Sequence, residues 1–186
     1  TALQRVRGIE GVDWAEPIML SSEALQGSAG RRPTYVFGYQ PGGHGGPQLL
    51  VEGEEPGPGE LVADDATATA LGFGIGDQVG VLGRQWTVSG LTTGMTSIIN
   101  TSVYLPFDEL AAIIGRPGTA SYMLVGTEPG ADTNSVARQL RDQITGVEVL
   151  TRPRFSAEER SLVRDMSVDL MNIMSIACFL VGLAVI

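Results

Sequence analysis

The chain has 186 residues, enough for one domain or two small ones with a real core, and a formal charge of -9 with a pI near 4.5, which argues against a nucleic-acid surface. All twelve basic residues are arginine, and the single cysteine, Cys178, excludes an internal disulfide and a cysteine metal cluster. Thr1 is not an initiator methionine, so the expectation is that the chain continues upstream and that a missing leader says nothing about location.

Leu3, Val6 and Ile9 recur at helical spacing, Gly11 closes the turn, and residues 12–20 read as a strand with Pro17 near an edge. From about Thr34 to Gly118 the texture changes to short β-type runs punctuated by glycine and proline. Strands are predicted over 35–39, 49–52, 61–63, 79–82, 86–90 and 103–105, with a hairpin turn at Gly83-Arg84. Residues 40–47 (QPGGHGGP) read as a flexible loop, 53–59 (GEEPGPG) as a turn-rich connector and 95–101 as a polar, mobile segment. Asp64 or Asp65 caps a short helix that Gly72 stops, and Pro106 introduces a second over 108–114.

The opening pattern then returns. A strand over 121–127 leads to a helix started by Asp132, with Val136, Leu140 and Ile144 on one face; Gly146 ends it and 147–150 is the next strand. The junctions Gly11-Val12-Asp13 and Gly146-Val147-Glu148 make a weak internal repeat. Beyond them, Ser156-Ala-Glu-Glu159 is a capping box for one helix over 156–186, roughly 45 Å long, half polar and half apolar. Its last part, 170–186 (LMNIMSIACFLVGLAVI), is apolar all round and carries no charge. At roughly 25 Å it falls a little short of a ~30 Å bilayer core, the length expected of a stalk that enters a membrane and stops inside the span. The competing reading is the central helix of a soluble domain.

Candidate chemistry is thin. His44, the one histidine, sits between glycine pairs in a loop expected to leave it unfixed. Asp64 and Asp65 diverge by about 100° on a helix start, so they read as caps and not as an acid/base pair. Gly72, Gly74 and Gly76 follow a helix instead of opening one and lack a partner lysine, which makes them a turn. Trp86 reads as core, and Met166, Met171 and Met174 as packing residues. Arg152, Arg154, Arg160 and Arg164 are interleaved with Glu158, Glu159, Asp165 and Asp169 as a solvated face, and the missing cationic excess places this flank outside the cytoplasm. No catalytic, cofactor-binding or metal-binding residues are assigned.

The succession Pro17, Gly38, Gly59-Glu60-Leu-Val-x-Asp64, Ala68, Leu71-Gly72, Gly76-Asp77-x-Val79, Val88-x-Gly90 and Val103-Tyr-x-Pro106 before Leu110 resembles the extracytoplasmic domain of FtsX-like/MacB-type ABC transporter permeases. The resemblance implies an α+β fold. A porter-like α/β lobe from residues 1–33 and 119–155 would carry an inserted, sabre-like β-rich lobe over 34–118, and 156–186 would be a stalk running into a truncated transmembrane helix. It implies a cell-membrane protein with residues 1 to about 169 on the extracytoplasmic side and lipid around 170–186. It also implies a homodimeric or heterodimeric permease that works with a separate cytoplasmic ABC ATPase, alongside a periplasmic adaptor or envelope protein. The chain would then be no enzyme and hold no cofactor, and would relay ATP-driven movement to export or to an envelope partner. A membrane-anchored envelope enzyme or binding module is the alternative.

Overall fold

A computed structural model describes residues 2–93 and 101–152. The chain divides into two compact units, one of Thr1–Gly8 and Val12–Glu128, the other of Ile9–Gly11 and Pro129–Ile186. The expected stalk and its apolar end over 156–186 lie outside the described residues, as does 94–100; Thr101 already belongs to a strand. Among the described residues, no helix is long and apolar enough to cross a membrane.

In the first unit, helix α1 (Ala2–Arg7) buries Val6, and the Arg7 guanidinium donates twice to the Ala15 carbonyl, at 3.1 and 2.7 Å. Strand β1 (Val12–Gly27) runs well past the expected end at Leu20. The polar stretch Ser21-Ser22-Glu23 reads as loop by composition, but each of these residues is paired across a hairpin with β2 (Gly30–Tyr39), and pairing overrides local preference. Strands β3 (Leu50–Gly53) and β4 (Glu60–Asp64) follow, and helix α2 (Asp65–Leu71) starts on Asp64 and stops at Gly72, whose φ of 69° suits a residue without Cβ. Next come β5 (Gln78–Val81), β6 (Arg84–Thr92), β7 (Thr101–Pro106), α3 (Phe107–Ile113) and β8 (Tyr122–Thr127).

The pairings close a ring. β2 lies parallel to β7, β7 antiparallel to β4, β4 parallel to β6 and β6 antiparallel to β5, and β1 closes the circuit through Gln26 opposite Gly80 and its long ladder with β2. Closure leaves few open edges, and side chains alternate between an inner and an outer face. Met19, Leu25, Val36, Leu61, Ala63, Val79, Val88, Val103 and Leu105 belong to the main core with Trp86, whose indole N–H donates to the Val81 carbonyl at 3.1 Å. Leu110 of α3 is fully buried over Gly38, where a side chain would meet it at 3.0 Å. A smaller cluster, Ile18, Tyr39, Val62 and Tyr104 with Phe37 and Leu50 against it, takes residues that alternate with the first set along β1, β2, β4 and β7.

β8 and β3 stand outside this ring. β8 pairs with β1 over residues 12–18, and β3 pairs with β6. In the second unit, Asp132 accepts from the Asn134 amide to start α4 (Thr133–Gln143), which buries Val136, Ala137 and Leu140 as its spacing predicts. Residues 147–150, expected to be a strand, enter no ladder among the described residues, and Val147 is 53% exposed. A short apolar alternation without a paired neighbour does not make a strand.

Asp64 is buried, and one of its carboxylate oxygens accepts from both the amide and the hydroxyl of Thr67, each at 3.0 Å. Asp64→Ala is expected to lower unfolding free energy by about 1–2 kcal/mol, read as an earlier urea midpoint.

Candidate functional site

Residues 40–47 leave the end of β2 and turn back over β1. Trp14 and Glu16, two apart on one strand, point to the same face, opposite Gly126 and Leu124 of β8. The absent side chain at Gly126 makes room for the Trp14 indole, which a Cβ there would strike. His44 stacks on that indole with ring centroids 3.8 Å apart and planes 3° from parallel. Its Nδ1–H donates to Glu16 Oε1 at 3.0 Å, and its backbone amide donates to Glu16 Oε2 at 2.7 Å. Both oxygens of one carboxylate therefore hold one residue of the loop.

The glycines around His44 are there for contact. A Cβ on Gly43 would lie 2.5 Å from Glu16 Oε2, one on Gly45 would enter Ile18 Cδ1, and one on Gly46 would sit 2.5 Å from the Tyr39 ring. The loop lies flat on the strand face, and the Gly42 amide donates to Glu55 of the following connector. Beneath it, Tyr39 meets Tyr104 edge-on at 6.2 Å, and Tyr104 stacks on Phe37 at 5.3 Å. The Tyr39 hydroxyl is buried and has no hydrogen-bond partner among the described residues. Burial pushes that phenol well above its ordinary range, with Glu55 and Tyr104 adding to the effect.

Burial alone would raise the Glu16 carboxyl. The His44 ring and amide and the Gly45 amide outweigh it and hold the carboxyl below its ordinary value. The His44 side chain stays 55% exposed while that of Glu16 is 12% exposed, so the carboxylate is the buried anchor and the ring its outer cover.

The expectation that the loop leaves His44 unfixed is corrected: two hydrogen bonds and a ring stack fix it. Glycine content suggested mobility because the sequence does not display the flat surface the glycines rest on. Asp64 caps α2, Gly72 ends it, and the Gly74 amide donates to Asp77, so these residues form caps and a turn as expected. Trp86 is core. Arg152 is exposed, and Arg154, Arg160, Arg164, the three methionines and Cys178 lie outside the described residues. Sequence reasoning missed Trp14, Glu16 and Tyr39; the available signal was an aromatic and an acid two apart on a strand in a chain with one histidine. Among the described residues no group of three or more His, Cys, Asp or Glu could hold a metal.

Three solved structures share the fold. The extracellular domain of the noncanonic ABC-type transporter YknZ from Gram-positive bacteria is 19% identical, with a TM-score of 0.63 over 80% of this chain and 84% of that one. The periplasmic region of MacB from Actinobacillus actinomycetemcomitans is 14% identical, with a TM-score of 0.59 over 76% of this chain and 70% of that one. A domain of a putative permease from Porphyromonas gingivalis is 18% identical, with a TM-score of 0.50 over 80% of this chain and 70% of that one. No curated protein sequence matches the chain.

These likenesses define the class of fold, α+β, shared with an extracellular and a periplasmic transporter domain. The chain belongs to the MacB-like periplasmic core domain family, whose model matches residues 1–143. Domains of this family are non-catalytic parts of MacB/FtsX-type permeases in the inner membrane, and such permeases work with ABC ATPase partners.

At pH 7, Glu16→Gln is expected to cost about 1.5–3 kcal/mol of unfolding free energy, the range for a hydrogen bond to a charged group. A carboxyl depressed in the folded state adds stability above its unfolded value and loses it as pH falls through the folded one. The gap between the unmodified protein and the variant should therefore close on acidification below about pH 4. Urea unfolding over the acid range reads it, and a gap that does not change with pH would contradict the assignment.

Proposed function

We propose that this chain is the extracytoplasmic part of a permease subunit that relays ATP-driven closure of the membrane helices to export or to an envelope partner. The observation that carries the reading is the family match over residues 1–143, followed in the sequence by the charge-free apolar run 170–186. A domain of this kind needs shape and stiffness more than chemistry. Residues 1–33 and 119–155 would be the porter-like lobe next to the membrane, and 34–118 the inserted β-rich lobe. β1 lies in the first by these bounds, and its partner β2 carries the chain on into the second. Residues 1 to about 169 would lie on the extracytoplasmic side, with 170–186 in lipid. Two permease subunits, alike or different, would pair above a cytoplasmic ABC ATPase, and a periplasmic adaptor or envelope protein would meet the β-rich lobe.

The continuous helix expected from the sequence over 156–186 would be the physical means, because a break at mid-length dissipates displacement. The experiment needs no known cargo. Spin labels at Glu52→Cys, in a background with Cys178→Ser and any other native cysteine replaced, are placed on the full-length permease with its ATPase in nanodiscs. The distance between labels on the paired subunits should change on adding ATP and vanadate. Inserting Gly-Pro after Asp165 should abolish the change and leave ATP hydrolysis intact. A label distance that ignores nucleotide in the unmodified permease, or one that still responds in the insertion variant, would overturn the relay.

A further inference from the structure

β1 changes partner abruptly. Residues 12–18 pair with β8 and residues 19–27 with β2, and no residue of the strand takes part in both ladders. In strand pairing, the two-stranded β1–β8 ribbon and the ring of strands are therefore joined through β1 alone, with Ile18 at the end of the ribbon packed against Tyr39, Val62 and Tyr104 of the ring. A single strand is a compliant joint, because each residue contributes two soft dihedrals and no ladder spans the change of partner. Pro17, next to the joint, also lacks the N–H a ladder needs. Ser121 helps from one side: its amide donates to the Ile18 carbonyl at 2.9 Å, and its hydroxyl oxygen accepts from the Leu20 amide at 3.0 Å.

Residues 40–47 cross the same joint from the other side. The loop leaves the ring at Tyr39 and grips the ribbon through the stack on Trp14 and the two hydrogen bonds to Glu16. Between those grips, Gly45 lies on Ile18, the last ribbon residue of β1, and Gly46 lies on the Tyr39 ring. The Gly42 amide is tied to Glu55 in the connector beyond β3, so the loop is anchored a second time on the ring side. Trp14 itself lies on Gly126, so holding Trp14 also holds β8. One segment thus touches both halves and the joint, and its glycines let it lie close enough to do so.

We propose that residues 40–47 form a strap that sets the angle between the β1–β8 ribbon and the ring of strands, with His44 as its fastening. The strap makes the two parts move as one body. Its role in transport rests on the relay reading above, while its effect on the joint does not.

The test is hydrogen exchange followed by mass spectrometry on the full-length permease in nanodiscs. In His44→Ala, peptides covering residues 12–18 and 122–127 should exchange roughly tenfold faster, because local opening of the ribbon no longer has to break the strap. Peptides from β4, β5 and β6 should keep their rates. Glu16→Gln, which leaves the loop sequence intact, should loosen the same peptides, and the double variant should be no looser than His44→Ala alone. Unchanged ribbon exchange in both single variants would overturn the strap, as would equal acceleration throughout the ring. The spin-label measurement separates the two ideas. Faster ribbon exchange in His44→Ala with label distances blind to nucleotide in the unmodified permease keeps the strap and removes the relay. A nucleotide response with unchanged ribbon exchange does the reverse.

Discussion

One strand changes its main partner partway along, from β8 to β2, and the rest of the first unit is arranged around that fact. β1 is 16 residues long, and its burial follows both sets of neighbours: Val12 and Ala15 are buried in the stretch paired with β8, Met19 and Leu25 in the stretch paired with β2. A strand of that length has no single inner face. The cost of sharing it is a joint without cross-strand support, and the surrounding structure supplies that support from side chains and loops. Ser121 binds the backbone on one side of the change of partner, and the Arg7 guanidinium ties α1 to the Ala15 carbonyl just before it. The histidine loop covers the face between.

The acidic surplus has a structural use. With 21 acidic residues against 12 basic ones, one-to-one cation pairing cannot occupy every carboxylate, and the arginine pairs seen among the described residues are long, at 4.0 and 3.8 Å. Such exposed pairs contribute little. Instead, Glu16, Glu55, Glu60, Asp64, Asp77, Glu109 and Asp132 each accept from a backbone amide in a loop or at a helix start. A charged acceptor makes the stronger kind of hydrogen bond, and buried or constrained amides need a partner wherever no ladder provides one. In a chain this rich in turns, carboxylates are the fasteners. A feature that looks from composition like a partner-selecting charge is, at these positions, what holds the connectors in shape.

Local signals found the elements whose cause is local. Asp64 and Gly72 bracket α2, Asp132 starts α4, and Pro106 introduces α3, each by satisfying or removing amides within a few residues. What could not be read locally was pairing. Nothing in Ser21-Ser22-Glu23 announces a strand, because its partner Val36-Tyr35-Thr34 lies across a hairpin, and nothing in 147–150 announces the lack of one. The parallel neighbours β2 with β7 and β4 with β6, which close the ring, are separated by long stretches of chain and left no periodic trace. The family succession of Gly, Asp and Pro positions carried the architecture further than periodicity did, since it records turns at fixed spacing. It contained none of Trp14, Glu16 or His44.

Glycine was the residue most easily misjudged. Read alone, QPGGHGGP has high backbone entropy in the unfolded chain and few groups to bury, and both argue for a mobile loop. In the fold, the lack of side chains is what allows three successive stretches of backbone to touch a carboxylate, an isoleucine methyl and a tyrosine ring. The entropy cost of ordering such a segment is real, and local propensity does not offset it. The offset comes from a ring stack, a buried carboxylate with two donors and the exclusion of water from Tyr39, all of which lie outside the loop's own sequence. Glycine therefore marks two opposite conditions, freedom where a loop faces water and close contact where it faces protein. The discriminating feature is a single bulky residue among the glycines. His44 is that residue here, and a bulky side chain set among glycines is held in place only if another part of the chain supplies its partner.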